Sequence, residues 1–63
     1  MKHLIFVKNL NTEEDVKRID EAFEESRLTY QILLENQCVV IHGSNDLVRA
    51  ATVLLAQNGY MIK

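Results

Sequence analysis

Residues 28–43 read LTYQILLENQCVVIHG, two apolar runs separated by the polar triplet Glu35-Asn36-Gln37. Short runs of branched, apolar and aromatic residues around a polar break are the signature of a β-hairpin. A helix pattern flanks the hairpin on each side. On the N-terminal side, Val16, Ile19 and Phe23 recur at spacings of three and four and share one helical face. Lys17, Arg18, Asp20, Glu21, Glu24 and Glu25 fill the other faces, and the helix is expected to end near Arg27. Thr12 stands where an N-cap belongs, with Asp15 in the capping-box position. Glu13, Glu14 and Asp15 place negative charge at the positive end of the helix dipole. On the C-terminal side, GSND (43–46) is a break carrying capping residues, with Ser44 the expected cap. LVRAATVLLAQN (47–58) is a second, more apolar helix, and Gly59 suits the left-handed position that follows it. HLIFVK (3–8) and YMIK (60–63) read as strands at the two ends.

The order strand, helix, strand, strand, helix, strand predicts an α+β domain over residues 1–63. It is the ferredoxin-like sandwich: an antiparallel sheet of order 4-1-3-2 with both helices on one face. Strand parity then divides the sheet. Ile5, Val7, Val39 and Ile41 are expected to face the helices, together with Val16, Ile19, Phe23, Leu47, Ala51, Leu54 and Leu55. The other face receives Leu4, Phe6, Cys38 and Val40, with Tyr30, Ile32 and Leu34 expected beside them from the second strand. A face left open to water ordinarily alternates to polar residues. This one is apolar, which marks Leu4, Phe6, Cys38 and Val40 as a candidate interaction surface for a protein partner or a second copy.

Composition narrows the function classes. The 63 residues suffice for one small core, and an apolar content of 48% argues for a folded domain. Seven basic residues against nine acidic ones give a net charge of −2, without the basic face that nucleic acid demands. No run is apolar enough for a membrane span, and the opening MKHLIFVKN is too short for a signal peptide. Cys38 is the single cysteine, so no internal disulfide forms, which suits a reducing compartment; a cytoplasmic location is the expectation.

Val16, Ile19, Asp20, Ala22 and Phe23 follow an apolar-x-x-Ile-acid-x-Ala-apolar pattern. VVIHGSND (39–46) and LLAQNGY (54–60) supply a strand with its turn and a helix end. In this order the segments resemble the heavy-metal-associated domains of copper chaperones and metal-transporting ATPases, and the resemblance covers nearly the whole chain. That family carries Met-x-Cys-x-x-Cys between its first strand and first helix. Aligned on Ile19, Leu10 falls on the methionine, Thr12 on the first cysteine and Asp15 on the second. Copper(I) and similar ions require thiolate or thioether donors, which a hydroxyl and a carboxylate do not replace. The resemblance therefore implies the fold of a metal carrier with a degenerate metal loop, and no cofactor. The family also has a glycine before its second strand, where this chain has Ser26-Arg27-Leu28.

The remaining candidates for metal are Cys38, His42 and His3. His3 and His42 differ in parity and belong to opposite faces of the sheet. Cys38 and His42 are roughly 13 Å apart along one strand. Glu13, Glu14 and Asp15 point in different directions from a helical turn and do not converge on a hard cation. No nucleophile stands beside a base, and no glycine-rich phosphate loop is present, so an enzyme is not expected. Two readings follow: a non-catalytic module acting through its open sheet face, as a homodimer or with a protein partner, or a copper-type metal carrier using a non-standard or intersubunit site. A small-ligand regulatory domain rests on fold analogy alone.

Overall fold

The computed structural model describes residues 2–63. Its elements are β1 (Lys2–Phe6), α1 (Glu13–Glu24), β2 (Thr29–Leu33), β3 (Cys38–His42) and α2 (Asn45–Gln57). The sheet is antiparallel in the order β1-β3-β2. Leu4 pairs with Val40 and Phe6 with Cys38 on one side of β3, while Gln31 and Leu33 pair with the same two residues on the other. The expected fourth strand contracts to a single antiparallel bridge, Val7 with Ile62, on the free side of β1. Lys8 N donates to Met61 O (2.8 Å) and Lys63 N to Phe6 O (2.9 Å), so the terminal segment occupies the fourth-strand place. The Met61 N–H is taken by the Asn9 side chain (2.8 Å), which prevents a regular ladder.

Both helices cover the face carrying Ile5, Val7, Val39 and Ile41. Ile19 and Phe23 from α1 meet Ala51 and Leu55 from α2 in one buried cluster, joined by Leu10, Leu28 and Tyr60. Val16 and Leu54 are partly buried against this cluster, whereas Leu47 is 38% exposed and stands outside it. Because α2 starts at Asn45, the inward stripe runs through Val48, Ala51 and Leu55, and Leu47 falls beside it. Ser44 occupies the N-cap position of α2, but its side chain makes no capping hydrogen bond.

The second strand corrects the expected parity. Tyr30, Ile32 and Leu34 face the helices and pack against the core, not against the open face. Tyr30 and Ile32 pair with the inward residues Ile41 and Val39, so Gln31 and Leu33 lie outward beside Val40 and Cys38. Leu34 already belongs to a 3-10 turn, Leu34–Asn36, and Gln37 closes that turn in the left-handed region at φ 51°. Helix α1 also stops earlier than Arg27. The Phe23 carbonyl accepts from the Ser26 amide and hydroxyl, and Arg27 then turns left-handed at φ 59°.

Candidate functional site

The loop between β1 and α1, residues 7–12, is held from three sides. Leu10 is fully buried in the core. Thr12 caps α1: its hydroxyl accepts from the Asp15 amide (3.3 Å), and Asp15 Oδ2 accepts from the amides of Thr12 (3.1 Å) and Asn11 (3.0 Å). The Thr12 hydroxyl also donates to Asp15 Oδ2 (3.1 Å). Asp15 Oδ1 accepts from the Tyr60 hydroxyl at 2.8 Å. Both carboxylate oxygens are thus engaged by the chain's own donors.

Tyr60 reaches Asp15 because of how α2 ends. Gly59 takes φ 83°, its amide donates to Ala56 O (3.1 Å), and the Tyr60 amide donates to Leu55 O (2.9 Å). This is a Schellman ending. It reverses the chain and buries Tyr60, which is 4% exposed, against the core with its hydroxyl on the loop. Asn9 ties the same junction from the other side: its side-chain Nδ2 donates to Gly59 O at 3.0 Å. Gln37, at the hairpin end, donates from its side chain to Leu10 O (3.2 Å) and Asn11 Oδ1 (2.8 Å).

Donor hydrogen bonds fix the electrostatics of this site. The Asn11 amide, then the Tyr60 hydroxyl, holds the Asp15 carboxyl down at about 2. Burial, with the Asp15 hydrogen bond second, pushes the Tyr60 phenol up. A carboxylate so strongly favoured in its ionised form is a poor general base at neutral pH. The donor set of Thr12 and Asp15 does not fit a soft metal ion either: both are oxygen ligands, and each satisfies the other. Glu13 and Glu14 are exposed beside them, outside this network.

The other expected ligands stay apart. His3 pairs opposite Ile41 and His42 opposite Lys2, so the two histidines lie on opposite faces. Cys38 is 2% exposed opposite Phe6. Among the described residues, no three His, Cys, Asp or Glu side chains gather to hold a metal ion. Of the candidate interaction surface, Leu4 is 53% and Phe6 44% exposed. Val40 and Cys38 are buried beneath that face, because strand β3 is flanked on both sides; the accessible apolar area comes chiefly from Leu4 and Phe6 on β1, with half-buried Leu33 on β2. The roles of Gln37 and Asn9 were not visible in the sequence, since each acts across more than 25 residues.

No family model and no curated protein matches this chain. Among solved structures, the chain is similar to one described as the NMR structure of a heavy metal binding protein from Thermotoga maritima. The TM-score is 0.87 at 22% sequence identity, over 100% of this chain and 92% of the other. At that identity the likeness establishes a shared fold.

Proposed function

We propose that this chain is a non-catalytic domain that self-associates through the uncovered face of its sheet, with the loop after β1 serving as internal support. The observation that carries the proposal is the exposure of Leu4 and Phe6 side by side on β1, over a face whose centre, Val40 and Cys38, is already apolar and dry. A symmetric contact would bury this patch against itself. The molecule measures 27 × 21 × 16 Å. One such face spans on the order of 500 Å² per subunit, about 1,000 Å² in all, which is the size of a weak or transient contact. Lost translational freedom opposes the apolar gain of about 25 cal/mol per Å², so a dimer in the micromolar range is expected.

The competing reading is metal carriage, favoured by the description of the Thermotoga protein. In this chain it would need Cys38 or a histidine from two subunits. Sedimentation equilibrium on the wild type and on Phe6→Lys separates the two when run beside an anaerobic copper(I) titration. A concentration-dependent dimer that Phe6→Lys abolishes while remaining folded supports the proposal. A wild type still monomeric at high micromolar concentration overturns it, and sub-micromolar copper(I) binding at one equivalent would favour the carrier.

A further inference from the structure

Strand β2 is the outermost strand of the order β1-β3-β2, so one row of its backbone N–H and C=O groups has no neighbour in the sheet. Natural sheets blunt such edges with lysine, proline or a bulge. The strand reads TYQIL and pairs with β3 in unbroken register, so it has none of these. Alongside it, between β2 and α1, runs an open groove of roughly 880 Å³. Val16, Ile32 and Leu34 supply its apolar lining, while Glu13, Glu14 and Asp20 stand against one base, Lys17. The walls are fixed to each other. Tyr30 packs edge-on against Phe23 with ring centroids 5.0 Å apart, and its hydroxyl donates to the Asp20 carboxylate.

We propose that this edge and groove dock an extended segment of another protein, added as a further strand along β2. Its alternate apolar side chains would face the groove, and lysine or arginine would stand opposite Glu13 and Glu14. The unpaired backbone row selects a strand over a helix, because only an extended chain can satisfy it. Charge selects the sequence: three carboxylates against one ammonium favour a basic segment. The same charge disfavours a second copy. Antiparallel β2–β2 pairing about a two-fold axis sets both helical layers on one side of the joined sheet, so the two α1 rims would confront each other, acid against acid. The surface is separate from Leu4 and Phe6, and either interaction can fail without the other.

The test is selection of a random peptide library displayed on phage against the full chain, followed by titration of an enriched peptide into isotopically labelled protein. The expected peptides alternate apolar residues and carry lysine or arginine. Amide shift changes should centre on Thr29–Leu33 and the first turns of α1. The double variant Glu13→Lys, Glu14→Lys should bind about tenfold more weakly, and Glu13→Gln, Glu14→Gln about threefold, both with unchanged helix content. Failure to enrich any peptide, enrichment without basic residues, or shifts centred on Leu4 and Phe6 would overturn the proposal. Concentration-dependent shifts at β2 in the absence of peptide would also overturn it, in favour of self-pairing.

Discussion

Two residues that are not glycine, Arg27 and Gln37, sit in the left-handed region at φ 59° and φ 51°. A Cβ in that conformation costs roughly 1–2 kcal/mol. Neither residue type favours the region as Gly or Asn does; only the resembled family's glycine near Arg27 hints at the first, and nothing in the sequence hints at Gln37. Arg27 stands in the stretch where the resembled family has its glycine, and its side chain is exposed. Arg27→Gly should therefore stabilise the domain by about 0.5–1 kcal/mol, the strain relieved less the added freedom of the unfolded chain. Gln37 is different, because its amide bridges Leu10 O and Asn11 Oδ1. Removing that amide breaks one part-buried and one exposed hydrogen bond that tie the loop to the hairpin, so Gln37→Gly should lower stability by about 1 kcal/mol in spite of the same relief. Urea midpoints of opposite sign are the expected pair; two stabilising changes would mean that the Gln37 clasp contributes nothing.

At the scale of elements, what was legible depended on the range of the interaction. The cap of α1 is local, Thr12 with Asp15, and it forms as the sequence implies. Thr12→Ala should cost about 1 kcal/mol, measured as a shift in denaturation midpoint. An unchanged midpoint would leave the occupant of this loop position without a structural role. The inward faces of β1 and β3 were equally legible: Ile5, Val39 and Ile41, with Val7 just beyond β1, are buried as their alternation implies, although Cys38 and Val40 on the other face of β3 are buried as well. The β2 parity was lost in counting across the turn. The turn consumes Leu34 as well as the polar triplet, and shifting a strand by one residue exchanges its faces. The alternation inside TYQIL, with Tyr30 and Ile32 apolar against Thr29 and Gln31, carried the right answer. The contraction of the last strand was not legible, since the donor that a ladder would use is bound by Asn9 from 52 residues away.

For the molecule as a whole, Asp15 is the point where the β1–α1 junction meets a distant segment: its Oδ2 accepts from the Asn11 and Thr12 amides, and its Oδ1 from the hydroxyl of Tyr60 in the chain that leaves α2. Their common partner is a charge, so the assembly should respond to acid. The Asp15 carboxyl is held at about 2 in the folded protein against an ordinary value of 3.8, first by the Asn11 amide and then by the Tyr60 hydroxyl. A depressed carboxyl contributes stability that is complete above its unfolded value and is lost as pH falls through its folded value. The loss due to Asp15 should thus begin near pH 4 and continue to about pH 2. Other carboxylates also titrate in acid, so the informative quantity is the difference between wild type and Asp15→Asn. The variant keeps the size of the side chain but gains no stability when a carboxylate would ionise. Its deficit should be largest at neutral pH and shrink steadily between pH 4 and pH 2, while Tyr60→Phe should show a smaller deficit with the same trend. Parallel stability curves for wild type and Asp15→Asn across that interval would show that the ionised carboxylate does not hold the β1–α1 junction to the Tyr60 segment.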